Sequence, residues 1–174
     1  AEALGGIGGR IATDALIRSL GDADGGVRQR AVVALGAIGR RGDTSVAMSL
    51  VARLEDDKSD VKRAAIEQLV ALRERRAIIP LAARLGDPSP DVKKDAARAL
   101  AQLGDHSAAP PLLRMLEDTS EDVRNASIEA LGDLAIDAAV NPLVEKLTMG
   151  TDSTRAKVVN ALAKIAKATS NETA

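Results

Sequence analysis

The stretch VRQRAVVALGAIG at residues 27–39 decides how this chain folds. Its Val27, Ala31, Ala34, Leu35 and Ile38 stand at i, i+4, i+7, i+8 and i+11, the single apolar stripe of an amphipathic helix. The stripe returns as Val92, Ala96, Ala99, Leu100 and Leu103. Outward from it, Leu4, Leu35, Leu69, Leu100, Leu131 and Leu162 are spaced by 31, 34, 31, 31 and 31 residues. A second ladder, Leu16, Leu50, Leu81, Leu112 and Leu143, runs at 34, 31, 31 and 31, with Leu20, Leu54, Leu85, Leu116 and Leu147 four residues beyond. The chain is therefore an internal repeat, and the single longer interval predicts a three-residue loop insertion within 40–45.

Each unit reads as two helices. Ile78, Leu81, Ala82 and Leu85 mark the other helix of the pair, and clusters such as GDPSPD at 86–91 separate the two. No segment alternates with period 2, so no sheet is expected. A lone helix pair leaves apolar surface uncovered, and stacking successive pairs is the way to bury it, which predicts an all-α solenoid. Small residues at the contacts, among them Ala31, Ala65, Ala96 and Ala97, let neighbouring helices approach closely. A core built this way needs no aromatic ring.

The composition agrees and excludes much else. The 174 residues are 45% hydrophobic and 28% charged, with a net charge of −1 and no Phe, Trp, Tyr or Cys. Without cysteine there is no disulfide, zinc–thiolate site, iron–sulfur cluster or thiol nucleophile. Nucleic acid is not an expected partner, because net charge is near zero and there are no aromatic stacking platforms. No apolar run approaches the roughly 20 residues of a membrane span, and AEALGGIGGR at 1–10 lacks the order of a signal peptide, so a soluble, cytoplasmic protein is expected. A start at Ala1, inside what reads as a helix end, suggests an excised or processed piece.

The repeat resembles HEAT repeats, in particular the short phycobilisome-lyase-like variety. Pro80, Pro111 and Pro142 precede the ladder leucines as in the family pattern A-x-x-P-L-x-x-x-L-x-D, and 27–39 is nearly the family's V-R-x-x-A-x-x-A-L-G-x-I-G unaltered. The family's Asp and basic ladder recurs as Asp22 with Arg28, Asp56 with Lys62, Asp87 with Lys93 and Asp118 with Arg124. Those residues are expected to cap helix N-termini and to pair within a repeat or across to the next. Met149 and Thr154 depart from the pattern, so the ladder should lapse in the last repeat, and Ala15 and Ser49 replace the family Pro in the first two pairs. The resemblance implies a right-handed α-solenoid of stacked antiparallel pairs with a 31-residue period, about five pairs plus a terminal helix. One repeat domain is expected over 1–168, with a partial first repeat at 1–8 and a polar tail at 169–174.

Chemistry is sparse. His106 is a lone imidazole in a turn after Gly104 and Asp105, with no identifiable catalytic partner. The pairs Asp56/Asp57 and Glu121/Asp122 sit in repeated turns where capping accounts for them. DADGG at 22–26 opens like a calcium loop but places Val33 where the bidentate Glu belongs. GGIGGR at 5–10 places Ile11 where a dinucleotide fingerprint needs Gly, and fits a helix end. The triplets at Asn125 and Asn171 match the glycosylation pattern by chance, the first falling within a helix. No catalytic residue, metal or cofactor is expected, and the chain reads as a non-enzyme.

In the resembled family the V-R-x-x-A helices line the concave face. The implied partner-binding row contains Arg30, Asp60, Arg63, Glu67, Asp91, Lys94, Asp95, Arg98, Asp122, Asn125, Glu129 and Lys157, with Gln29, Val33, Ala64, Ala126, Ala156 and Asn160 between them. Mixed signs there suit a basic or mixed-charge protein segment. A basic rim of Arg40, Arg41, Arg73, Arg75 and Arg76 suggests, as an alternative, weak binding of a polyanion. The family name supplies another, a lyase-type or accessory role in handling bilin chromophores. A homodimer through the terminal repeat is a further expectation.

Overall fold

The structure is a computed structural model that describes the backbone of residues 2–39 and 43–172, and the side chains of 9–39 and 43–171. Among the described residues there is no strand. Ten helices form five pairs: α1 (Glu2–Ser19) with α2 (Gly25–Ile38), α3 (Thr44–Ala52) with α4 (Ser59–Ala71), α5 (Ile78–Arg84) with α6 (Pro90–Leu103), α7 (Ala109–Met115) with α8 (Glu121–Asp133), and α9 (Val140–Met149) with α10 (Asp152–Glu172). Short 3-10 turns follow α3 at Arg53–Glu55 and lead into α5, α7 and α9 at Arg75–Ala77, His106–Ala108 and Asp137–Ala139.

Residues 1–80 and 81–174 make two compact units. In the first, α2 lies along α4, while α1 and α3 cover them. Its core is Leu20, Leu35, Leu50, Leu54 and Leu69 with Val32, Val46, Val61 and Ala65 between them, all buried. In the second, α6, α8 and α10 pack side by side, with α7 against α8 and α9 against α10. There Leu100, Leu112, Leu116, Leu131 and Leu143 are buried with Ala96, Ala97, Ile128 and Val158. Leu16, Leu147 and Leu162, ladder members in the first and last pairs, are half-buried.

Close helix approach explains the small residues. A Cβ on Gly132 of α8 would stand 2.7 Å from both Cα and Cβ of Ala161 on α10, so nothing larger than hydrogen fits. Helix ends recur on the same period: Arg73, Gly104 and Ala135, spaced by 31, follow α4, α6 and α8 with φ of 51°, 70° and 50°. This left-handed turn satisfies carbonyls at the helix end, with Glu74 N–H donating to Leu69 O at 2.9 Å and Ile136 N–H to Leu131 O at 3.1 Å. Only Gly104 has the residue type that the conformation prefers.

Three expectations are corrected. The glycines of 5–10 lie inside α1, because residues 2–19 are one helix rather than a helix end followed by a second helix. The separate terminal helix is thereby absorbed into the first pair. The polar stretch 169–172 continues α10, where Thr169 Oγ1 donates to Ile165 O at 3.0 Å. The insertion expected within 40–45 falls in part on residues 40–42, outside the described residues; before them Gly39 ends α2 in extended backbone, and after them Asp43 caps α3, accepting from Ser45 N at 3.1 Å and Val46 N at 3.2 Å. Arg40 and Arg41 lie outside the described residues.

Replacing Ala135 with Gly should raise the free energy of urea unfolding by about 1 kcal/mol, the left-handed penalty less the entropy Gly loses on folding. Gly132→Ala should lower it by about 1–3 kcal/mol through overpacking against Ala161.

Candidate partner-binding face

The turns before α2, α4, α6 and α8 are built alike. Asp22, Asp56, Asp87 and Asp118 each accept the backbone N–H two residues on, from Asp24 at 2.8 Å, Lys58 at 3.0 Å, Ser89 at 2.9 Å and Ser120 at 2.9 Å. The donors are the residues just before each helix, so these carboxylates shape the entry to the helix rather than bonding its first turn. Within α2's own repeat, Arg28 donates to backbone, Nη1 reaching Asp22 O at 2.9 Å and Ala23 O at 3.1 Å. Arg124 does the same with Asp118 O at 2.7 Å and Thr119 O at 3.0 Å.

The charge goes to the next repeat. Arg28 holds Asp56 through Nε–Oδ2 at 2.8 Å and Nη2–Oδ1 at 2.7 Å, and also meets the exposed Asp57. Lys93 Nζ likewise reaches Asp118 Oδ2 at 2.6 Å. Side chains of Arg28 and Asp56 are only 9% and 2% exposed, so the pair is shielded from salt. Burial pushes the Asp56 carboxyl upward, but the Arg28 guanidinium and the Lys58 N–H outweigh it and hold the pKa at about 2. Asp118 is also below its ordinary value: burial raises it, while Lys93 and the Ser120 N–H lower it further.

In the last repeat this arrangement changes, as Met149 and Thr154 require. Thr151 Oγ1 donates to Glu121 Oε1 at 2.6 Å, and Thr154 Oγ1 donates to Asn125 Oδ1 at 2.9 Å. The Thr151 hydroxyl, with Thr154 and Arg124, lowers the Glu121 pKa. Asn125 was expected to face a partner; it is instead buried and spent on α10. Ala64 and Ala126 are buried too.

The remaining row residues are divided between the units. On α2 and α4, Arg30, Val33, Asp60, Arg63 and Glu67 are exposed. On α6, α8 and α10 the charges pair among themselves: Lys94 with Asp91 at 2.9 Å and Asp122 at 3.8 Å, Arg98 with Asp95 at 3.9 Å, and Lys157 with Glu129. Asp91, Asp122 and Arg98 nevertheless keep half or more of their side-chain surface exposed. Sequence reasoning missed this pairing. Its signal was present, since Lys94–Asp122 and Glu129–Lys157 are both 28 residues apart, one 31-residue repeat less three.

Of the basic rim, Arg73, Arg75 and Arg76 are exposed. Buried Glu74 accepts from the Arg76 backbone N at 2.9 Å and lies 3.5 Å from its Nη1. His106 is exposed at the start of the turn before α7. Among the described residues no three His, Cys, Asp or Glu side chains converge as a metal site would need. Likewise, among those residues, no helix is long and apolar enough to cross a membrane.

The family model for HEAT repeats matches residues 1–70, 22–92, 47–132 and 78–163. Among solved structures, a chain in the complex of CpcE and CpcF of phycocyanin lyase from Nostoc sp. PCC7120 is 24% identical with a TM-score of 0.76, over 89% of this chain and 65% of that one. This chain thus spans under two thirds of that lyase chain's length. A designed armadillo repeat protein in complex with the peptide (KR)4 is 23% identical with a TM-score of 0.63, covering 86% and 80% of the two chains. An engineered protein, 25% identical with a TM-score of 0.63, covers 88% and 81%. Compared by sequence with curated proteins, the chain matches none.

Arg28→Met should cost about 3 kcal/mol in urea unfolding, the low end for an orphaned buried charge, because Arg53 remains 3.4 Å from the same carboxylate. Since the folded pKa of Asp56 is depressed, its share of stability should be complete above about pH 4 and lost as pH falls toward 2. Acid titration of Asp56→Asn should lack that component.

Proposed function

The chain belongs to the HEAT-repeat family, and on that premise we propose that it is a non-catalytic protein-interaction module in which the even-numbered helices, α2 and α4 in one unit and α6, α8 and α10 in the other, present charged side chains to a protein segment. One observation carries the reading. Within α2, α4, α6 and α8 the fold uses the same residue type at the equivalent position, Leu35, Leu69, Leu100 and Leu131, every one buried. Two positions earlier stand Val33, Glu67, Arg98 and Glu129, exposed or half-buried and chemically different from one repeat to the next. Constant buried positions alternating with varied accessible ones is the arrangement of a scaffold that displays side chains.

The partner's chemistry follows from the charges. Five cations (Arg30, Arg63, Lys94, Arg98 and Lys157) stand with six acids (Asp60, Glu67, Asp91, Asp95, Asp122 and Glu129), so the segment is basic or of mixed charge. Pairing within the row means that a partner exchanges existing ion pairs for its own. Charge therefore sets specificity and association rate, and affinity is modest in the absence of an aromatic anchor.

The likeness to the phycocyanin lyase complex supports a second reading, a lyase-type or accessory role in bilin handling. That likeness is one of fold alone. The chain has no aromatic side chain, so any visible or near-ultraviolet change on mixing with a free bilin reports the chromophore directly. No change is expected. On titrating (KR)4 into the 15N-labelled protein, amide shifts should cluster on α6 and α8 and disappear in a variant carrying Asp91→Lys, Asp122→Lys and Glu129→Lys. Shifts elsewhere, or undiminished in that variant, would contradict the even-helix reading.

A further inference from the structure

A second surface stands out against its own repeats. Where the turn after α4 carries Arg73, Arg75, Arg76 and then Ile79, the next repeat carries Gly104, His106, Ser107 and Pro110, and the one after it Ala135, Asp137, Ala138 and Asn141. Arg76 partners buried Glu74, but that contact leaves 55% of its side chain exposed, and it does not account for Arg73 or Ile79. Ile79 is 81% exposed, and Met48 at the equivalent position of α3 is 55% exposed. Arg76 and Ile79 are three residues apart along one helical segment and share a face. Arg73 holds a left-handed backbone, φ 51°, that Gly adopts at the next equivalent position. Exposed arginines close in sequence to an aliphatic side chain left 81% exposed point to use of the surface.

We propose that Arg73, Arg76 and Ile79 form a docking site for an acidic protein segment carrying an aliphatic side chain. Charge complementarity selects the occupant. Between Leu72 and Leu85 the single carboxylate is Glu74, and it is buried. The cations are all arginine, whose planar fork binds carboxylates in bidentate fashion, and the apolar side chain beside them provides an anchor that a purely polyanionic ligand would leave unused. A membrane surface calls for a broader basic cluster, about 4–8 cations. This surface is separate from the even-helix face and does not depend on it.

The test is fluorescence anisotropy of the whole chain with fluorescein-labelled EELEDLEE, against EEGEDGEE, heparin and phosphatidylserine vesicles. EELEDLEE should bind more tightly than EEGEDGEE, weaken as salt is raised, and lose about tenfold in affinity with Ile79→Ser, the low end for one buried aliphatic side chain. Arg73→Gly with Arg76→Gln should also lose about tenfold, while Arg73→Gly alone leaves thermal stability equal or higher, separating lost charge from lost fold. Equal affinity for the two peptides, no binding of EELEDLEE, indifference to these variants, or preference for heparin or vesicles would overturn the proposal.

Discussion

Every feature of this molecule depends on one constraint: a helix pair of this length and composition cannot bury its own apolar stripe. The leucines leave water only when the next pair supplies the other side. Without aromatic rings to fill a wide gap, neighbouring helices must come close, which is why Ala lines the contacts and why Gly132 faces Ala161 with no room for a Cβ. Burial therefore sets the 31-residue period before any polar group is considered.

Polar groups then fix how one repeat follows another. Asp56 and Asp118 each shape their own turn through Oδ1 and also receive a cation from the preceding helix, Arg28 on both oxygens of Asp56 and Lys93 on Oδ2 of Asp118. The same residue thus joins local backbone geometry to stacking. Where Met149 stands in its place, the hydroxyls of Thr151 and Thr154 take over, donating to the Glu121 carboxylate and the Asn125 amide oxygen.

The period, the leucine ladders and the Asp spacing were legible in sequence because burial and turn chemistry repeat at fixed offsets. The direction of ion pairing was not, since a six-residue spacing within a repeat is more conspicuous than the 28 residues that separate Arg28 from Asp56 and the 25 that separate Lys93 from Asp118. Asn125 misled for a related reason: its place in the helix suggested exposure, whereas its burial depends on Thr154, 29 residues on. The left-handed ends at Arg73 and Ala135 were hidden because only Gly104 advertises that conformation by type. The glycines of α1 misled in the opposite sense, reading as a stop where the helix continues.

What remains for recognition is the set of positions that stacking leaves free to vary. The direct measurement is protease resistance across a library substituting every residue in turn. Leu35, Leu69, Leu100 and Leu131, with Gly132, Arg28 and Asp56, should tolerate almost nothing, while Val33, Glu67, Arg98 and Glu129 accept most polar residues without loss of fold. If substitutions at those four varied positions unfolded the chain as readily as substitutions in the leucine ladder, the division between scaffold and displayed face would be wrong.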